Sequence, residues 1–201
     1  VTIPAYNVEK FLEKTLDSFL VEEVLGDIEV LIVDDGSKDR TAEIGKKYEK
    51  EYPETFRVIS KENGGHGSTI NRGIKEAEGK YFKVVDGDDW VDTEGLTELV
   101  RRLKTCEADY VFTNYYEVSD VTGEKTAVAF GQFAKESLLP FETITGETRI
   151  SMHALVIKTD ILKRNKRQID EHCFYVDVEY ILYPVPYVNS VIYYDIFVYM
   201  Y

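Results

Sequence analysis

The sequence predicts an α/β fold with a doubly wound, mostly parallel sheet and helices on both faces, and three observations carry that expectation. Apolar β-branched runs alternate with segments of helical spacing through the first hundred residues. The connections are short, and crossovers in such sheets are right-handed, so the strands point the same way. Four polar clusters each stand directly after a strand, at the sheet edge where ligands bind. Beyond Ala108 the pattern changes, and a smaller antiparallel part is expected in the second half.

The elements follow in order. Val1 to Pro4 is the end of an apolar strand, and Asn7 is placed to cap a helix carrying Val8, Phe11, Leu12, Leu16, Phe19 and Leu20. Ile28 to Val33 is too apolar for a half-exposed strand and belongs inside a parallel sheet. Asp34-Asp35-Gly36-Ser37 breaks it, and a polar helix from Thr41 to Tyr52 is closed by Pro53. Phe56 to Ile59 is a third strand. The Asn63-Gly64-Gly65-His66-Gly67-Ser68 loop precedes a helix with Ile70, Ile74 and Ala77, ended by Gly79. Tyr81 to Asp86 reads as the fourth strand and Thr93 to Leu103 as the fourth helix. Asp109–Val118 and Thr126–Phe130 read as strands turned by Gly123, followed by a loop-rich segment with Gly131, Pro140 and Gly146. Met152–Ile157 is an apolar run. Asp160–Lys163 and Val176–Leu182 suit short helices, and Ser190–Tyr201 one or two strands.

Composition narrows the functions. A chain of 201 residues, 44% hydrophobic and 30% charged, fits one domain. That domain is expected to divide into a ligand-binding half over 1–104 and a second half over 105–201. A formal charge of −13 without a basic stripe argues against a nucleic-acid backbone as partner. It leaves room for a nucleotide whose phosphates are neutralised locally. Cys106 and Cys173 match no ligand spacing and read as reduced thiols of a cytosolic protein. No apolar run approaches the roughly 20 residues needed to span a bilayer, and no signal peptide is expected. Opening at Val1 directly on a strand suggests a piece of a longer polypeptide.

The chemistry concentrates in Asp86-Gly87-Asp88-Asp89, where a buried strand delivers three carboxylates to its end. Two carboxylates about 4 Å apart repel by about 4 kcal/mol at an effective dielectric near 20. A hard divalent ion such as Mg²⁺ or Mn²⁺ relieves that repulsion and keeps positions open for a phosphate. The competing reading is a solvated acidic turn capping the next helix. Asp34 and Asp35 could accept hydrogen bonds from a ribose or a base, or simply form a turn. The Gly64-Gly65 loop could lay backbone N–H groups against phosphates, although it lacks a Walker lysine. His66 within it is either a ligand or a surface histidine. Asp177 and Glu179 sit among aromatic and β-branched residues, where partial desolvation suits a carboxylate to act as a base. They share a face if the segment is extended and diverge if it is helical, and from the residues alone an ordinary surface acid is the favoured reading. His153 reads as a core or edge histidine.

Read in order, Ile3-Pro4-Ala5-Tyr6-Asn7, Val33-Asp34-Asp35-Gly36-Ser37, Asn63-Gly64-Gly65 with Asn71-Arg72-Gly73, and Asp86-Gly87-Asp88-Asp89-Trp90 resemble the family 2 glycosyltransferases of the GT-A fold. The resemblance runs from Val1 to about Leu103. It implies that Pro4, Ala5 and Tyr6 flank a nucleotide and that Asp35, with Asp34 beside it, binds uracil and ribose. Gly65, His66 and Asn71 join that nucleotide-sugar set. Asp88 and Asp89 would hold Mn²⁺ or Mg²⁺ against the donor diphosphate, with Asp86 and Gly87 supporting the ion or touching the sugar. The family's base is the Asp of a Glu-Asp pair; here the pair reads Val176-Asp177, so the preceding acid is missing. The implied activity is inverting transfer from a UDP-sugar to a hydroxyl of a saccharide or lipid-linked acceptor, in polysaccharide or glycolipid synthesis. The implied setting is the cytoplasm, with peripheral attachment to the inner face of a membrane. A silent sugar-nucleotide-binding module is one alternative. A sugar nucleotidyltransferase is another, though it would carry a basic Gly-rich loop where Ala5-Tyr6-Asn7 stands.

Overall fold

Val30-Leu31-Ile32-Val33 is apolar at every position because the strand it forms, β2 (Val30–Asp34), is buried along its whole length in the computed structural model, which describes residues 1–144, 146 and 150–201. β1 (Thr2–Ala5) and β3 (Phe56–Ser60) flank it in parallel. Between these strands run α1 (Leu12–Asp17) and α2 (Thr41–Glu51), and α3 (His66–Glu76) follows β3. α2 lies against β3 and α3 against β1. Gly73 lets α3 come that close, since a Cβ there would stand 2.2 Å from Thr2 Oγ1.

The other sheet is mixed. β4 (Tyr81–Phe82) pairs antiparallel with β9 (Leu155–Lys158), and β9 pairs antiparallel with β6 (Tyr110–Val118). β10 (Ser190–Met200) runs parallel to β6 and antiparallel to β5 (Trp90–Val91). The β6–β7 (Lys125–Val128) hairpin turns through Gly123, whose φ is +71°. β8 (Leu139–Pro140) pairs with the start of β10. α4 (Thr93–Leu103) is N-capped by Asp92, which accepts from Gly95 N at 2.9 Å, and α5 (Thr159–Arg164) and α6 (Val176–Leu182) complete the helices. The two sheets meet at one seam. Thr2 N donates to Lys83 O at 2.9 Å, Val85 N donates to Thr2 O at 3.0 Å, and Thr2 bridges Val84 in parallel. One apolar cluster crosses the seam, from Ile3 and Ile32 to Phe112, Tyr180 and Tyr199, and a smaller one packs Leu99, Val111 and Val198.

Two local expectations need correction. The first helix starts at Leu12, not after Asn7. Asn7 sits at φ +54°, and its side chain accepts from Lys38 N at 2.8 Å, so it is tied to the loop after β2. The strand expected over Tyr81–Asp86 is a two-residue ladder plus a bridge, because at Lys83 the chain passes from pairing with β9 to pairing with β1. Trp90–Val91, to which the sequence reading assigned no element, forms a short strand on β10. The terminal segment is one strand, irregular between Tyr194 and Tyr199. Part of the loop expected near Gly146, at 145 and 147–149, lies outside the described residues. Cys106 is buried and Cys173 exposed, both as free thiols. No helix among the described residues is long and apolar enough to cross a membrane.

Candidate functional site

The strand-end clusters are joined to one another by hydrogen bonds. Asp35 N donates to Ala5 O at 2.9 Å, Asn7 N to Ser37 Oγ at 3.0 Å and Gly87 N to Pro4 O at 3.1 Å. Asp35 in turn receives Gly64 N at 2.9 Å and Gly65 N at 2.8 Å. Only a glycine fits at position 87: a Cβ would lie 2.9 Å from Pro4 O and 3.0 Å from Val8 Cγ2. Its absence lets the acidic turn lie against the end of β1. Gly65, at φ +84°, turns the chain into α3.

The acids of the turn point in different directions. Asp86 Oδ1 lies 2.8 Å from His66 Nε2 at the start of α3. Burial opposes the charge on His66, but the bond and charge of Asp86, backed by Asp177 and Asp88, outweigh it and raise the imidazole above its ordinary pKa. Asp89 is 8% exposed, and its Oδ2 accepts from Tyr199 OH at 2.6 Å. Burial, with the charges of Asp86 and Asp88, pushes its pKa up to about 7 despite that bond. Ligand-capable atoms of Asp86, Asp89 and His153 lie within 4.8 Å of one another. The sequence places the ion on Asp88 and Asp89; the geometry groups Asp89 with Asp86 and His153, while Asp88 is exposed and faces the adjoining cavity.

His153 and Tyr199 are the residues that sequence reasoning misses. His153 sits in a 3-10 turn, Met152–Ala154, that leads into β9, and it meets the acids through packing between distant parts of the chain that no local feature of the sequence announces. The His153 ring stacks on Tyr201 at 4.2 Å, and burial lowers its pKa to about 4, so it stands neutral with a lone pair to offer.

A cavity of about 440 Å³ opens beside the acids, lined by Pro4, His66, Asp86, Asp88, His153 and Asp177 among others. Asp177 occupies the first turn of α6, which follows Tyr175 at φ +63°. Because the segment is helical, Asp177 and Glu179 diverge. Glu179 Oε2 accepts from Asp170 N at 2.7 Å and lines a separate cavity with Lys163 and Arg167.

The remaining candidates hold the frame. Asn71 Nδ2 donates to Ile169 O at 2.8 Å and its Oδ1 accepts from Ile169 N at 3.0 Å, which clamps the strand-like loop before α6 against α3. Asp34 Oδ1 accepts from Ser37 N at 3.0 Å. Pro4 and Ala5 are buried at the end of β1, and Tyr6 is exposed just beyond it. Gly65 packs against the backbone of His172, to which the Gly64 carbonyl is also bonded.

Residues 1–166 match Glycosyl transferase family 2. The chain is 40% identical over 119 residues to EpsJ, an uncharacterized glycosyltransferase of Bacillus subtilis (strain 168), covering 59% of this chain and 34% of EpsJ. It is 32% identical over 178 residues to the minor teichoic acid biosynthesis protein GgaB of the same organism, covering 86% of this chain and 19% of GgaB. The matches therefore span 34% or less of these relatives' lengths. Its backbone matches residues 1–349 of S. aureus TarS, crystallised with UDP-GlcNAc, with a TM-score of 0.80 at 24% identity, over 100% of this chain and 57% of that one.

Proposed function

Because this chain belongs to glycosyl transferase family 2 and has the GT-A fold, we propose that it transfers a sugar, with inversion, from a UDP-sugar to a hydroxyl of a saccharide or lipid-linked acceptor. The observation that carries this reading is that one cavity is lined by Asp177 together with Asp86, Asp88 and His66. A donor held there would meet both a base and a charge-stabilising cluster.

Asp177 accepts the proton of the acceptor hydroxyl as its oxygen attacks the anomeric carbon. The bond to the diphosphate breaks on the opposite face, and its electrons leave with the diphosphate. His66, held toward its charged form by Asp86, stands at the N-terminus of α3, where backbone N–H groups and the helix dipole favour phosphate oxygens. The donor set at Asp86, Asp89 and His153, with Asp88 beside it, is two hard carboxylates and a neutral imidazole, which suits Mn²⁺ ahead of Mg²⁺. Such an ion, when bound, supplies positive charge for the leaving diphosphate. The ends of β1 and β2, with Pro4, Ala5, Tyr6, Asp34 and Asp35, form the floor for the nucleotide. Residues 105–201 form the acceptor side of the same domain.

Asp177→Asn tests the assignment. Turnover of a UDP-sugar should fall at least about 10²-fold, while UDP affinity in the presence of Mn²⁺ stays within a few-fold of the parent. Activity that survives within a few-fold would remove Asp177 from the base role.

A further inference from the structure

Tyr199 is buried on β10, and it touches every member of the Asp86, Asp89 and His153 cluster. Its hydroxyl donates to Asp89 Oδ2 at 2.6 Å and accepts the backbone N–H of Asp86 at 3.1 Å. Its ring centroid lies 4.8 Å from that of His153. Behind the ring, Lys83 Nζ lies 5.2 Å from the centroid and donates to His153 O at 2.6 Å.

We propose that Tyr199 is the positioning residue of the cation cluster, the one side chain that fixes all three of its members at once. The inference rests on the cation reading given above. A carboxylate at the end of a turn rotates about its Cα–Cβ bond, and crowded like charges drive such groups apart. One hydroxyl proton given to Asp89 Oδ2 sets that carboxylate's rotation, and so the direction of its other oxygen. The same hydroxyl, as acceptor, anchors the backbone at Asp86, where the turn begins. The ring face then limits where the His153 imidazole can lie. Groups that hold the ligands of a metal in this way typically account for 10–100-fold in affinity. Lys83 completes the support by holding the backbone of His153 from below. No other buried tyrosine hydroxyl on β10 is bonded to the acidic turn among the described residues: that of Tyr193 goes to Asn114 and Asp195.

The test is Tyr199→Phe, which keeps the ring and removes the hydroxyl, with Tyr193→Phe as a control for the loss of a buried hydroxyl elsewhere on the same strand. Free Mn²⁺ is followed by electron paramagnetic resonance in titrations of the purified protein, with and without UDP. Mn²⁺ affinity should fall 10–100-fold in Tyr199→Phe and change less than two-fold in Tyr193→Phe, with both variants keeping the far-ultraviolet circular dichroism of the parent. A parent that binds while Tyr199→Phe binds within two-fold of it overturns the positioning role and leaves the cation reading standing. A parent that binds Mn²⁺ in neither condition overturns both. Should Tyr199→Phe not fold, hydrogen exchange on the parent decides. Mn²⁺ must then slow exchange around Tyr199 as well as over 86–89, and protection confined to 86–89 counts against the proposal.

Discussion

Two acidic clusters in this chain are written alike and behave in opposite ways. Asp34-Asp35-Gly36 and Asp86-Gly87-Asp88-Asp89 both follow apolar strand residues and both place carboxylates at the same edge of the molecule. Asp35 is 2% exposed, yet it is surrounded by donors: Lys61 Nζ at 2.6 Å, Gly64 N at 2.9 Å and Gly65 N at 2.8 Å. Asp89 is nearly as buried, has Tyr199 OH as its donor, and lies beside two further carboxylates. In the first cluster Asp35 is a bracket that holds the glycine loop against β2. The second holds charge that the fold leaves in need of compensation. An acid pair at a strand end therefore says little by itself; the donors that the rest of the chain brings to it decide whether it is scaffold or site.

The largest effect expected from this contrast is at Asp35. Asp35→Ala strips Lys61 and two loop amides of their acceptor, and breaking a buried pair from one side costs about 3–5 kcal/mol. Against a total stability of about 5–15 kcal/mol, urea unfolding should shift to a markedly lower midpoint. A midpoint close to the parent's would mean that Asp35 is not the bracket described here.

Much of the first half was legible because its signals are local. A short apolar, β-branched run before a glycine-bearing break suits a buried strand, and β1, β2 and β3 lie where their runs place them. The helices α2, α3 and α4 follow for the same reason. The seam was not legible. β4 shrinks to two residues because Lys83 turns its backbone from β9 to β1, and no property of the run Tyr81 to Asp86 announces two partners. The candidate cation cluster was half legible: Asp86 and Asp89 are in one motif, but His153 comes from a 3-10 turn far along the chain and joins them only through tertiary packing. Tyr199 comes from 110 positions further along the chain than Asp89. Asp177 was singled out by the family resemblance rather than by its setting, and its separation from Glu179 depended on whether the segment coils.

At Asp89 the expected effect is smaller and reversed in sign. Its pKa in the folded state is about 7 against an ordinary 3.8, so between those values the folded chain binds more protons than the unfolded one. Stability from this group therefore falls as pH rises from about 4 to about 7 and stays low above that. Asp89→Asn keeps a carbonyl to accept from Tyr199 and removes the buried charge. The metal-free variant should be more stable than the parent at pH 8, by about 1–4 kcal/mol at one to three pKa units, and no more stable at pH 4. Thermal melts at both pH values check this, and a variant less stable at pH 8 would contradict it. The same substitution should abolish stabilisation by Mn²⁺, a trade of function against stability seen at many sites.

The smallest effect is the one that divides the first cluster internally. Asp35 is engaged by Lys61 and two loop amides, while the Asp34 side chain accepts Ser37 N through Oδ1. If the nucleotide meets this pair, Asp34 has the greater capacity left to receive it. Asp34→Asn preserves the acceptor for Ser37, so the melting temperature should move by no more than about 2 °C, within the about 0.5 kcal/mol typical of benign substitutions. A charged acceptor is worth about 1 kcal/mol more than a neutral one, so UDP affinity should fall by about 5-fold, read by calorimetry in the presence of Mn²⁺. Unchanged affinity with unchanged stability would move nucleotide recognition away from the end of β2, and would make both members of the pair scaffold.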